Sequence, residues 1–347
     1  MANFIITSDQ HCHNWTAFSH TGTDGINSRL RDTLNELKRA AAVALSSSKR
    51  LIFAGDLFHT RGSIDPEVFN PVHETIVDIL KSGVRIDAIP GNHDLKSNKT
   101  REISNAIQTF GRLNGFTVYT KPTIQEGILF VPWMPDHNEL VTLLKKIADE
   151  RDMSDIDVVC HVGINGVIPG LPDNSVNAET LSAIGFKRVF AGHYHSHKVM
   201  CRGTVYSIGA LTHQTWGDVN SRAGFLEVES SDVKFRATNA PRFVQIDRGT
   251  DLSMVLDIAD GNYVRVTDMK LSDIEMIEME KNLKENGAKG VLFQIPKDLI
   301  PVRTTKGARS ATIGESVSKY IDNNFMYNLS EIKASCADIL SMHGVTM

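Results

Sequence analysis

Five short apolar runs in this chain end on residues that belong neither in a core nor in an ordinary turn. Phe4–Thr7 runs into SDQHCH, Leu51–Ala54 into GDLFH, and Val84–Ile89 into PGNHD; Ile156–Cys160 is followed by His161, and Arg188–Ala191 by GHYHSH. Each run reads as a short strand, and near-continuous apolar character is what a strand buried on both faces requires. Helical patterns lie between them. Leu30, Leu34, Leu37 and Ala41 share one helical face, Asp65–Pro66 opens an apolar-periodic run that reaches Leu80 before Gly83, and Asp136 with Glu139 has capping-box spacing. This alternation predicts a layered α/β domain with partly parallel strands. In such sheets the loops beyond the carboxyl ends of the strands converge, so five such ends point at one shared site.

The donor types at those ends decide what the site can hold. Asp9, His11, Asp56, Asn92, His161, His193 and His195 offer oxygen and imidazole nitrogen without thiolate, which suits manganese, iron, zinc or magnesium. Seven donors are too many for one ion and suit two, with one carboxylate shared. Two ions roughly 3.5–4 Å apart are the arrangement that activates water and neutralises charge for in-line attack at phosphorus. Gly55, Gly91 and Gly192 each precede one of these donors, where a missing Cβ permits a sharp turn and close backbone approach. Cys12, Cys160, Cys201 and Cys336 are widely spaced and form no CxxC pair, which argues against a disulfide framework or a cysteine zinc site.

The character changes past residue 230. Asn262–Val266 and Val291–Ile295 read as strands around a helix opened by Ser272 and Glu275, a β-α-β unit that suggests a small second domain. Two short helical patterns close the chain. No apolar run approaches the roughly 20 residues of a membrane span, and MANFIITSD lacks the basic and apolar regions of a signal peptide, so a cytoplasmic protein is expected. With a formal net charge of −4, any contact with a polyanion must come from local basic patches. Lys96, Lys99 and Arg101, directly after GNHD, form one; His13 and Trp15 beside the first motif are further candidates for DNA contact, with Trp15 and Phe18 able to stack on a base. His197 is read as a solvated bystander, and His213 is balanced between substrate contact and packing.

The ordered set D-x-H, GD-x-x-H, GNHD, a lone His and GH-x-H resembles the calcineurin-like metallophosphoesterase superfamily, and GDLFH with GNHD and GHYH is similar to the SbcD-type DNA repair nucleases, phage-encoded versions in particular. The resemblance implies a four-layer α-β-β-α sandwich over residues 1–230, a small α+β capping domain over 231–310, and a helical segment over 311–347 that binds an SMC-like coiled-coil ATPase of SbcC type. It implies Asp9, His11 and His195 on one divalent ion, Asn92, His161 and His193 on the other, and Asp56 as the bridge, with Mn2+ preferred and Mg2+ as the alternative. His93 would stabilise the transition state or protonate the leaving group, with Asp94 hydrogen-bonded to it, and His59 would lie close to the scissile phosphate. DNA cleavage, both exonucleolytic (3′–5′) and endonucleolytic on single strands or hairpins, and a homodimer follow from the same resemblance. A phosphatase or small-molecule phosphodiesterase with the same metals, and a scaffold subunit of the ATPase, are the competing readings.

Overall fold

The computed structural model describes residues 2–97, 105–170, 175–294, 312–324 and 329–342. The chain divides into two compact units, Met1–Gln294 and Ile295–Met347. In the first unit the strands in chain order are β1 (Phe4–Thr7), β2 (Arg50–Ala54), β3 (Ile86–Ile89), β4 (Phe116–Val118), β5 (Thr123–Gln125), β6 (Ile128–Val131), β7 (Asp157–His161), β8 (Arg188–Gly192), β9 (Lys198–Met200), β10 (Val205–Ser207), β11 (Gly224–Val228), β12 (Val233–Ala237), β13 (Phe243–Ile246), β14 (Tyr263–Thr267) and β15 (Gly290–Gln294). They build two six-stranded sheets, ordered β12-β11-β1-β2-β3-β4 and β5-β6-β7-β8-β10-β9, and a three-stranded sheet β13-β14-β15.

Period-2 alternation explains how the two large sheets stack. In β1, Ile5 faces outward to the helix layer while Phe4 and Ile6 face inward; in β2, Leu51 and Phe53 go outward and Ile52 and Ala54 inward. The second sheet mirrors this, with Val158 and Cys160 of β7 outward and Val159 inward. The inward sets of both sheets merge into one dry layer of Phe4, Phe130, Phe190, Ile208, Leu226 and their neighbours. Helices α1 (Ser28–Ser46) and α2 (Pro66–Lys81) cover the outer face of the first sheet, and α3 (His137–Glu150) and α4 (Ala178–Ser182) that of the second. The result is the four-layer α-β-β-α sandwich. The central strands pair in parallel, and antiparallel strands lie at the flanks: β11 and β12 on the first sheet, β5 and β9 on the second.

The first sheet continues to Ala237, beyond the change of character near residue 230, because β12 pairs with β11 over its whole length. The three-stranded sheet is all parallel and carries α5 (Val255–Ala259) and α6 (Asp273–Glu285), so it holds one strand, β13, more than the periodicity showed. Ser272 and Glu275 do form the reciprocal capping box of α6, whereas Asp136 caps α3 through the N–H of Asn138, and Asp65 makes no side-chain cap bond to α2. The second unit contains α7 (Ile313–Asn324) and α8 (Leu329–Met342), which pack against each other. Among the described residues no helix is long and apolar enough to cross a membrane.

Phe190 is fully buried between the sheets, edge-on to Phe4 at 5.5 Å and stacked on Tyr206 at 5.0 Å. Phe190→Ala should therefore destabilise the fold by about 3–5 kcal/mol, measured as a lowered midpoint in urea unfolding with an unchanged slope.

Candidate metal centre

The carboxyl ends of β1, β2 and β3 from one sheet meet those of β7 and β8 from the other. Beyond their strands the β1 and β2 loops run side by side, with Asp9 N–H donating to Gly55 O at 3.1 Å and His11 N–H to Asp56 O at 3.0 Å. Between sheets, His161 Nδ1 donates to Ala54 O at 2.8 Å. A Cβ on Gly192 would overlap Ser8 Oγ, and one on Gly91 would overlap the Asp56 carboxylate, so both closures need glycine. Asp9, His11, Asp56 and His193 all adopt positive φ, at 51°, 43°, 56° and 100°. Non-glycine residues take this region at a cost, and its concentration at one place marks a functional site.

Two donor groups result, each with its atoms within 4.8 Å of one another: Asp9 with His11 and His195, and Asp56 with His161 and His193. Asn92 Oδ1 joins the second, 2.9 Å from His193 Nδ1 and 3.1 Å from His161 Nε2. Asp56 stands between the groups, its Oδ2 lying 3.6 Å from His11 Nε2 and 3.3 Å from His161 Nε2. The residues present fit divalent ions. Asp9 Oδ2 accepts from Ser8 Oγ at 2.6 Å and from His193 N–H at 2.9 Å, while its buried Oδ1 has no hydrogen-bond partner among the described residues. A fully buried carboxylate oxygen left unpaired is costly unless a cation meets it.

The protonation tendencies follow from crowding. Burial, together with the neighbouring His161, pushes His193 down to about 3. Burial also holds His11 well below the usual imidazole value. These rings keep a lone pair for an electrophile. Burial opposes charge on His161, but the Asp56 carboxylate beside it prevails and lifts it to about 9. Burial likewise works against ionised Asp56, yet His161 and His11 hold it well below the usual carboxylate range.

His59 and His93 stack at 5.3 Å and form, with His11, a third cluster of imidazoles. His93 Nδ1 bonds the carbonyl of His59 at 2.6 Å. Asp94, expected to bond His93, does something else. It accepts from the backbone N–H groups of Asp56 and Gly91, both at 2.9 Å, and of Phe58 at 3.2 Å, and so clamps the β2 and β3 loops together. Its side chain turns inward to those three buried donors, leaving the histidine to a carbonyl acceptor. His13 and Trp15 sit beside His59 at 5.0 and 4.6 Å, and Lys96 is exposed; Lys99 and Arg101 lie outside the described residues.

Two histidines outside the cluster are corrected. His197 is buried rather than solvated, stacked on Phe235 at 4.4 Å with Nδ1 on Ser207 O. His213 is packing: it bonds Ser221 O and accepts the N–H of Phe243. Missed by the sequence reading were Asp218, which bonds His195 Nδ1 at 2.9 Å; Trp133, tilted against His193 at 5.1 Å; and Arg61, whose Nε donates to Asn92 O at 3.0 Å. Only Asp218 had a local signal, the T-x-x-D spacing that caps a 3-10 turn over Trp216–Asp218.

Paired clusters of carboxylate, amide and imidazole at the mouth of a face-packed α-β-β-α sandwich define a metal-dependent hydrolase. The chain belongs to the calcineurin-like phosphoesterase family, whose sequence model matches residues 2–197. No curated protein sequence matches it significantly. Among solved structures it is similar to a dimetal phosphatase from Danio rerio, at 11% identity over 68% of this chain and 96% of that one with a TM-score of 0.44. It is also similar to the nuclease MPE from Pseudomonas putida, at 15% identity over 66% of this chain and 84% of that one with a TM-score of 0.27.

Asp94→Ala strands three buried N–H donors and should cost about 3 kcal/mol. Asp94→Asn keeps one acceptor oxygen and should cost less. Urea midpoints measured without added metal check this; a wild-type midpoint in Asp94→Ala would refute the clamp.

Proposed function

We propose that this phosphoesterase is a dinuclear-metal DNA nuclease of SbcD type. Its reading includes 3′–5′ exonuclease and single-strand or hairpin endonuclease action in DNA end processing, and an SMC-like SbcC-type ATPase as partner. The observation that carries it is the placement of Asp56 between two donor groups, with His59 and His93 stacked at their edge. In this reading Asp9, His11 and His195 hold one ion, Asn92, His161 and His193 the other, and Asp56 both. The ions, taken to be Mn2+, would supply water activation and charge neutralisation at phosphate.

The chain's own groups supply the rest. A carbonyl only accepts, so the His59 carbonyl keeps the hydrogen of His93 on Nδ1 and directs Nε2 away from it. With Nδ1–H committed to that carbonyl, the imidazolium form of His93 carries its second proton on Nε2, and that proton passes to the departing oxygen as its bond to phosphorus breaks, leaving the neutral ring with its hydrogen on Nδ1. His59 supports that ring by stacking and by supplying the carbonyl. Exposed Lys96 and Arg61 near the donor loops put positive charge where a phosphate polymer would approach.

The three-stranded sheet with α5 and α6, from Phe243 to Gln294, fits a capping role. The segment 311–347 fits a docking element, since Ile313, Ile339 and Met342 of its helices are exposed. A homodimer in the cytoplasm completes the proposal.

End-labelled duplex DNA and bis-p-nitrophenyl phosphate, each with Mn2+, test it. DNA should be strongly preferred, and His93→Ala should lose about 10²–10⁴ of the cleavage rate while still binding two ions. Preference for the small ester would favour a small-molecule phosphodiesterase; loss of an ion in His93→Ala would make His93 a ligand.

A further inference from the structure

Arg29, on α1, is buried, and among the described residues no carboxylate lies within ion-pair distance of it. A buried unpaired cation is expensive, so the groups that replace its hydration define its task. Its guanidinium donates to Ala17 O at 3.2 Å and to Gln214 O at 2.5 Å. It also lies over ring faces, Trp15 at 5.0 Å, Phe243 at 5.0 Å and Tyr263 at 5.6 Å, with the carboxylates of Asp218 and Asp32 acting on it from beyond ion-pair distance. Phe243 and Tyr263 are the first residues of β13 and β14, so two of the three rings come from the three-stranded sheet.

Gln214 carries the contact onward. Its Nε2 donates to the backbone carbonyl of Asp9 at 2.8 Å, and its N–H donates to Asp218 Oδ2 at 2.8 Å. Asp218 Oδ1 bonds His195 Nδ1 at 2.9 Å, which leaves the Nε2 of that ring for the donor cluster. Among the described residues the other donor group is held mainly from the sandwich, His161 by Ala54 O of β2 and the Asp56 loop by Asp94, and the His193 N–H on Asp9 Oδ2 is its link to this chain of contacts.

We infer that Arg29 and Gln214 are positioning residues through which the three-stranded sheet sets Asp9 and His195, one half of the donor set, without setting the half made by Asp56, Asn92, His161 and His193. This rests on the dinuclear reading above. Removing an outer partner of a metal ligand typically weakens metal binding by about 10–100-fold, and here the loss should fall on one ion only.

The test is calorimetric titration of the full chain with Mn2+, in wild type, Gln214→Met and Arg29→Lys, with thermal unfolding of each metal-free protein alongside. Gln214→Met keeps length and neutrality but donates nothing to Asp9. Arg29→Lys keeps the charge and loses the planar fork. One of the two binding events should weaken by about 10–100-fold in both variants, the other should stay at wild-type affinity, and Gln214→Met should unfold at the wild-type temperature. Two unaltered events in Gln214→Met overturn the proposal, as do two equally weakened events with a lowered unfolding temperature, the mark of a merely structural role. Fewer than two events in wild type overturn the dinuclear reading, and this inference with it.

Discussion

Everything at this site depends on a buried carboxylate having imidazoles on both sides. Asp56 is almost wholly inaccessible, and its position is tolerable because His11 and His161 both approach its Oδ2 while the His93 N–H donates to its Oδ1 at 2.7 Å. His11 comes from the same sheet and His161 from the other. The separation of the two sheets is therefore part of the site's chemistry. The dry layer of Phe4, Phe130 and Phe190 sets that spacing, and the bond from His161 to Ala54 O records it. A core that spread the sheets apart would break the site with every donor still in place.

The same packing holds an unusual backbone. Four donor residues at positive φ each cost on the order of 1–3 kcal/mol, and loops alone do not maintain that. What holds them is over-determination. Asp94 accepts three N–H groups from the Asp56 and Gly91 turns, and the Asp9 carboxylate is held by Ser8 Oγ and His193 N–H. Polar groups that look like chemistry in sequence are here spending their hydrogen bonds on conformation. Asp94 is the clearest case, a charged residue in a GNHD motif whose visible work is to tie two loops.

This division explains what the sequence could show. Strand and helix periodicities are local, so a layered α/β domain and the convergence of five strand ends were readable from Phe4–Thr7, Leu51–Ala54 and their counterparts, whereas the four-layer order followed only from the family resemblance. Donor types were readable because few other roles suit Asp and His directly after a buried strand. Partners were not readable, because they are set by contacts distant in the chain. His197 and Phe235, His195 and Asp218, and Arg29 and Tyr263 meet only after folding. The edge strand β12, VKFRA, was missed for a related reason: exposed on one side and charged at alternate positions, it lacks the continuous apolar run that marked the central strands.

The donor groups are built on unequal foundations. The group around Asp56 is oriented by strand-end carbonyls and by the loop clamp of Asp94, elements that exist wherever the two sheets are stacked. The group around Asp9 and His195 also leans on the segment from Leu211 to Asp218, which follows β10 and bonds Asp9 O and His195 through Gln214 and Asp218. That segment is anchored from outside by His213 to Phe243 and by Gln214 to Arg29. The first anchor ends at the start of the three-stranded sheet, and the second ends on α1, where the Arg29 guanidinium lies over the rings of Phe243 and Tyr263 at the start of that sheet's strands; the sheet's own core of Ile246, Val264, Val266 and Leu283 is separate from the sandwich. A sheet with its own core can shift as a body more readily than a strand inside the sandwich can. In the positioning role inferred for Arg29 and Gln214, Asp9 and His195 are therefore open to influence from that sheet, while Asp56 and His161 are held by the sandwich.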